Sequence, residues 1–150
     1  MPRKLTKYVI SAGVLLAGIQ FLQPDRTNPS SDPAAHFDAV AKPSKEASAV
    51  VRRACGDCHS NDTVWPWYSR IAPVSWVVAD DVKVGRARLN ISEWNRLSPE
   101  MSEKRMQQMC DEAKEGGMPL FSYKLMHPAA KLSAADVSAI CSAPAATASR

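Results

Sequence analysis

The pentapeptide Cys55-Gly56-Asp57-Cys58-His59 constrains this chain more than any other stretch. It has the form C-x-x-C-H, which is the attachment sequence for a c-type haem. Two thiols at this spacing can each form a thioether with one vinyl group of the porphyrin. The histidine after the second cysteine then supplies an imidazole nitrogen to the iron as an axial ligand. The first and second cysteines and this histidine are therefore the candidate cofactor-binding residues.

Two other kinds of site share part of this motif. C-x-x-C also occurs in thiol redox sites and in zinc sites. A zinc site would use Cys55, Cys58, His59 and a further cysteine. Residues 64–68 hold three large aromatic side chains directly after the motif, and these suit a large flat apolar cofactor better than a small ion. The sequence favours haem, with a zinc site or a thiol redox module as the alternatives.

The composition fits one small domain with extensions and argues against nucleic-acid binding. The chain has 150 residues and a formal net charge of +4, and this length is typical of a single domain. Arg3, Lys4 and Lys7 precede the first apolar run. Without these three, the 19 basic residues are reduced to 16, against 15 acidic residues. We therefore expect no nucleic-acid partner, because no basic stripe is left to follow a phosphate backbone.

Residues 1–22 have the pattern of an export segment. A positive stretch precedes an uncharged apolar run of 15 residues at 8–22. Such a run is short for a transmembrane helix, which needs about 17–25 residues, but it suits a signal sequence or a minimal anchor. No A-x-A cleavage site follows. We predict an uncleaved anchor in the bacterial inner membrane with the haem domain in the periplasm; the alternative is a soluble periplasmic protein after signal cleavage.

The remaining chain divides into three parts by composition. Residues 23–43 contain four prolines among Ser, Asn and Asp, which predicts a flexible linker. Residues 44–142 carry the apolar periodicity of a folded domain. Residues 143–150 are small and polar, and we predict a disordered tail.

The domain is predicted to be all-α. Apolar side chains recur at 3- and 4-residue spacing, and capping residues mark the helix ends. The markers are Ser44 before a helix that runs to the haem motif, Pro73 and Gly85, Ser98-Pro99 and Gly116, and Ser133 with Asp136. Alternating strands and hairpin dipeptides are missing from the sequence. We therefore predict a small cytochrome c-like helical domain built around one covalent haem.

Two further cysteines, Cys110 and Cys141, fall on the last two predicted helices. An even spare pair in an exported protein suggests a disulfide bond. A bond between them would stabilise the fold by about 3 kcal/mol by closing a loop of about 30 residues. In the cytosol the same residues would instead be two buried thiols.

The second axial ligand of the iron is predicted to be Met118. This methionine lies in a loop rather than on a helix face, and Pro119 after it restricts the backbone. A thioether sulfur suits haem iron, and Met/His ligation raises the reduction potential. The alternatives are Met126, His127 or an open coordination site.

Several separated blocks resemble the bacterial haem-binding domain family. They are the motif with its aromatic stretch at 55–68, Ile-Ala-Pro-Val-Ser-Trp at 71–76, Gly-Met-Pro at 117–119, and His-Pro at 127–128. The resemblance covers roughly residues 44–142. It implies a small exported protein with covalent haem c, in which Cys55 and Cys58 form the thioethers and His59 binds the iron.

Three functions remain for this pattern. The first is one-electron transfer in the bacterial envelope to an unidentified redox partner protein, without enzymatic activity. The second is a haem-based enzyme or gas sensor, which needs an open distal site and a polar group such as His127 or Arg86. The third is the zinc or thiol module without haem.

Two arginines before the motif, Arg52 and Arg53, are either solvated or paired with haem propionates.

Overall fold

The computed structural model describes residues 3–145 of the chain. Over this range the fold is all-α, as predicted, and the described residues include no β-strand. The helices are α1 Arg3–Ile19, α2 Phe37–Val40, α3 Lys45–His59, α4 Val74–Arg88, α5 Pro99–Glu115, α6 Phe121–Met126 and α7 Ala134–Cys141. Most of the tail predicted at 143–150 lies outside the described residues.

The helix starts expected from capping residues are confirmed. The hydroxyls of Ser44, Ser98 and Ser133 each accept a hydrogen bond from a backbone amide three residues later, at 3.1–3.2 Å. Pro99 occupies the first turn of α5, where no amide donor is needed. Gly116 ends α5 in the left-handed conformation with φ of 72°, which costs glycine little.

The hydrophobic core lies between α2, α3, α5, α7 and the 3-10 segment Ile91–Arg96. The buried side chains are Phe37, Ala41, Val50, Val51, Ile91, Trp94, Met106, Ala113 and Ile140. The rings of Phe37 and Trp94 meet edge to face with centroids 4.8 Å apart, and the Trp94 Nε1 donates to Ser102 Oγ at 3.0 Å. The buried indole therefore keeps a hydrogen-bond partner.

A disulfide bond joins Cys110 of α5 to Cys141 of α7. It is the pair that the sequence suggests. The bond links two helices that already pack against each other in the core. Because α7 has only eight residues, its apolar face is short, and the disulfide bond supplements the packing of that face against α5.

Residues 20–36 run along the domain as an N-terminal strap, which is hydrogen-bonded to the domain in the stretch where a flexible linker is predicted at 23–43. Asn28 makes three of the hydrogen bonds between the strap and the domain. The Asn28 Nδ2 donates to the Thr63 carbonyl at 2.9 Å, and the Asn28 Oδ1 accepts from Trp65 and Arg86. After the strap, the Phe37 side chain enters the core and is only 2% exposed. Two polar side chains of this stretch, Asn28 and Ser31, are thus hydrogen-bonded to the loop after α3.

The first helix lies outside the core, and most of its apolar side chains are exposed. At its end, Gln20 exchanges two hydrogen bonds with the backbone of Ala72, at 2.9 and 3.0 Å. Within residues 3–145, no helix combines the length and the apolar character that crossing a membrane requires. The inner-membrane anchor at 1–22 stays a prediction.

The sequence predicts that Gly85 ends α4. This prediction is wrong, because the helix continues to Arg88. The glycine has a different use. A Cβ atom placed on it would lie 2.5 Å from the Cys58 carbonyl oxygen and 3.2 Å from the Cys58 Cβ. The missing side chain therefore lets the backbone of α4 approach the end of α3 at the second cysteine of the motif.

Candidate functional site

The C-x-x-C-H residues occupy the last turn of α3, where they share one end of a helix. Cys55 and Cys58 are three residues apart, so their side chains project from the same face. Neither cysteine is in a disulfide bond. His59 is the final helical residue, and the chain turns to an extended conformation at Ser60. The helix thus presents two free thiols and one imidazole together.

His59 is held in the tautomer that an iron ligand needs. Its Nδ1 atom lies 3.0 Å from the carbonyl oxygen of Leu89. A carbonyl only accepts, so Nδ1 must be the donor, and Nε2 keeps its lone pair for a metal. Leu89 directly follows α4, so the packing of α4 on α3 places this carbonyl. A hydrogen bond of this kind orients a metal-binding imidazole and raises its basicity.

The two thiols are neutral in their surroundings. Burial raises the pKa of Cys55 to about 12 and that of Cys58 to about 11. A thiol redox site works through a thiolate and lowers the cysteine pKa instead. The electrostatics of this site therefore argue against a thioredoxin-like module.

The zinc alternative also lacks its ligands. A site with Cys55, Cys58 and His59 would need a fourth donor, but the other cysteines, Cys110 and Cys141, are bonded to each other. Across the described part of the chain, no three His, Cys, Asp or Glu side chains are grouped as a metal ion would need.

Asp57, inside the motif, connects it to two other segments. Its carboxylate accepts from the Tyr123 hydroxyl at 2.7 Å and from the Val64 amide at 3.2 Å. Its backbone carbonyl accepts from the Thr63 hydroxyl at 2.7 Å. Hydrogen bonds to an ionised carboxylate are stronger than neutral ones. No role for Asp57 is predictable from the sequence, since a single acid between two cysteines has no pattern of its own.

An aromatic cluster continues from Asp57 to the surface. The rings of Tyr123 and His127 are stacked with centroids 4.2 Å apart, and the Tyr68 hydroxyl lies 2.8 Å from His127 Nε2. Burial raises the pKa values of Tyr68 and Tyr123, so both hydroxyls stay protonated. Beside Tyr68, the Trp67 ring is 68% exposed. Of these four residues, the sequence predicts His127 as a candidate ligand, and Trp67 and Tyr68 as aromatic side chains that suit a flat cofactor.

The segments that carry this cluster also expose apolar side chains. These are Val64, Trp67, Ile71, Val74 and Val77 after the motif, and Phe121, Leu125 and Met126 in α6. Exposed apolar side chains grouped along neighbouring segments are typical of a ligand or interaction site, and contact with a porphyrin would remove them from water. Two free thiols, an imidazole with a free Nε2 and this apolar surface together fit haem.

Met118 lies in the loop between α5 and α6. It is partly buried and lines a groove of about 340 Å³ together with residues of α5, α6 and α7, among them Ala113, Phe121 and Val137. Its amide donates to the Glu112 carbonyl at 3.3 Å, which fixes the backbone before Pro119. The role of Met118 as sixth ligand stays a prediction.

The arginines considered for haem propionates or a distal group have protein partners. Arg52 pairs with Asp38 at 2.7 Å and Arg53 with Asp136 at 2.8 Å. Arg86 donates to the Ser60 carbonyl at 2.7 Å and also to two strap and loop side chains at 2.8 Å. Arg86 therefore supports the loop after the motif, whereas Arg52 and Arg53 pair with α2 and α7.

A comparison with protein families gives a match that covers most of the chain. The family model described as "Haem-binding domain" matches residues 14–143. The matched range includes the N-terminal strap and helices α2 to α7. No curated protein and no solved structure matches the chain significantly.

Proposed function

Because this chain belongs to the haem-binding domain family, we propose that it carries one haem c, attached through Cys55 and Cys58. Each thiol would form a thioether with one vinyl group of the porphyrin, the sulfur bonding to one vinyl carbon and the proton going to the other. This addition would need no oxidant, because no electrons are gained or lost. The i, i+3 spacing on α3 brings both sulfurs to the same face, as one porphyrin edge requires.

The observation that carries the proposal is the hydrogen bond between His59 and the Leu89 carbonyl. It leaves Nε2 as the only free nitrogen of the ring and holds the ring in one orientation. His59 is therefore the proposed fifth ligand of the iron. Leu89 would orient this ligand through its backbone carbonyl.

We propose Met118 as the sixth ligand and one-electron transfer as the function. Haem iron supplies one-electron chemistry, and a methionine sulfur opposite histidine favours the reduced state. The exposed apolar side chains around Trp67 and α6 would keep water from such a site. The partner in this proposal is a redox protein of the bacterial envelope, and the protein itself is an electron carrier rather than an enzyme.

Two substitutions test this assignment. Cys58→Ser should reduce the yield of covalently loaded protein, measured as the mass of the denatured chain; a normal yield would exclude attachment at this cysteine. Met118→Ala should lower the reduction potential and let the reduced protein bind carbon monoxide. Met109→Ala is the matched control, since this methionine packs against the core and should leave the spectrum unchanged. An unaltered spectrum in the Met118 variant would exclude the sulfur ligand.

The second candidate function is a haem-based sensor or enzyme with an open distal site. The polar groups of Tyr68, Tyr123 and His127 favour it, because hydrogen-bond donors next to haem determine how exogenous ligands bind. Carbon monoxide distinguishes the candidates. Immediate binding to the reduced wild-type protein would support the sensor, whereas a low-spin spectrum that ignores the gas supports the electron carrier.

We also propose that the chain is exported and works in the periplasm. The support is the positive stretch before the apolar run at 8–22. In bacteria, c-type haem is attached outside the cytoplasmic membrane, so export and attachment would occur together. Fractionation of cells that make the full chain tests this, with holoprotein in the cytoplasmic fraction as the contradicting result.

A further inference from the structure

Helix α6 lies between the two groups that could serve as the distal ligand, Met118 before it and His127 after it. It has only six residues, and none of its side chains is buried. Hydrophobic packing therefore does little to fix its position, and a segment of this kind opens at a low free-energy cost. Something else must hold it in place.

The hydroxyl of Tyr123 supplies the direct link from α6 to the haem motif. It donates to the carboxylate of Asp57 at 2.7 Å, across 66 positions of sequence. This is a hydrogen bond to a charged acceptor, which is stronger and shorter than a neutral one. The acceptor is rigid too, because Asp57 lies in α3 and its other carboxylate oxygen accepts from the Val64 amide.

The other end of α6 is held through the same residue. The Tyr123 ring is stacked on His127 at 4.2 Å with an interplanar angle of 12°. His127 is hydrogen-bonded in turn to Tyr68, in the loop after the motif. The tyrosine thus contacts both the motif and the residue that ends the helix.

From this geometry we infer that Tyr123 is a positioning residue that fastens α6 to the haem-attachment motif and so holds the distal ligand in place. The inference rests on the proposed haem attachment. It gives Asp57 a function inside the motif: the acid between the cysteines is the anchor for α6. Tyr123 itself acts through the ligand-bearing segment rather than on the iron.

The test uses the full holoprotein with Tyr123→Phe, which removes the hydroxyl and keeps the stacked ring. We expect a weaker far-red sulfur–iron band and a lower reduction potential. We also expect the reduced protein to bind carbon monoxide about tenfold tighter or more, because α6 loses the charge-assisted hydrogen bond that holds it to the motif. Asp57→Asn keeps the shape of the acceptor and removes its charge, so it should shift the same three quantities in the same direction by less.

Ser102→Ala is the matched control, because it removes the acceptor of the buried hydrogen bond that Trp94 Nε1 donates in the core. It should lower stability and leave the spectrum, the potential and carbon monoxide binding unchanged. If Tyr123→Phe behaves like this control, the tyrosine is merely structural and the inference is wrong. Wild-type protein without covalent haem would instead overturn the proposed function, so the two failures are distinguishable.

Discussion

Replacing Gly85 by alanine should separate α3 from α4 at the haem motif. The added Cβ would lie 2.5 Å from the Cys58 carbonyl oxygen and 3.0 Å from its carbonyl carbon. Ordinary contact begins at 3.4 Å, so the helices must move apart by about 0.9 Å in a close-packed region. The obstacle is backbone, which has no rotamer to change.

The cost follows from two opposing terms. Overpacking of a core contact costs about 3 kcal/mol at the upper end of its usual range, and alanine in place of glycine within a helix returns about 1 kcal/mol. We expect Gly85→Ala to lower the free energy of unfolding by about 2 kcal/mol. Since Leu89 directly follows this helix, its hydrogen bond to His59 should lengthen as well.

Urea unfolding of the holoprotein measures the loss, and the absorption spectrum reports on the histidine. Gly56→Ala is the matched control inside the motif, because a Cβ there would have nothing within 4 Å. It should stabilise the protein by up to about 1 kcal/mol through helix propensity. The reasoning is refuted if Gly85→Ala is as stable as the wild type, or if both alanine variants lose equal stability.

Three further predictions concern the rest of the fold. Joint replacement of Cys110 and Cys141 by alanine should cost about 3.5 kcal/mol in urea unfolding, because they close a 31-residue loop; unchanged stability would contradict this. The Ser133 backbone and hydroxyl bonds, with Arg53, lower the pKa of Asp136. The contribution of Asp136 to the free energy of unfolding is therefore complete above the ordinary aspartate pKa and is lost as pH falls through the lowered pKa. Asp136→Ala should be less stable than the wild type at pH 7 and equally stable in strong acid. Asn28→Ala should speed proteolysis of the strap, and an unchanged rate would contradict the strap's contacts.

The helices of the domain were predictable because their signals are local. Ser44, Ser98 and Ser133 each satisfy amides within the next turn, so a few consecutive residues decide where a helix begins. The C-x-x-C-H motif is local for the same reason. Met106 was also predictable as core, since its helical spacing places it on the buried face of α5.

The contacts that assemble the site were not predictable, because they join residues distant in sequence. A proline-rich polar stretch predicts a linker, and only the fold shows that Asn28 meets Thr63 and Arg86. Gly85 was predicted to end a helix, because the sequence does not distinguish a glycine needed for close backbone approach from one needed for a helix cap. The bond from Tyr123 to Asp57 depends on where α6 folds back, which periodicity does not encode.

The central claim is tested most directly by a pyridine haemochrome spectrum of the protein made together with the haem-attachment machinery. We predict a c-type spectrum with one haem per chain that stays with the polypeptide after denaturation and acid extraction. A folded but colourless protein, or a haem that acid extraction removes from the chain, would contradict attachment through Cys55 and Cys58.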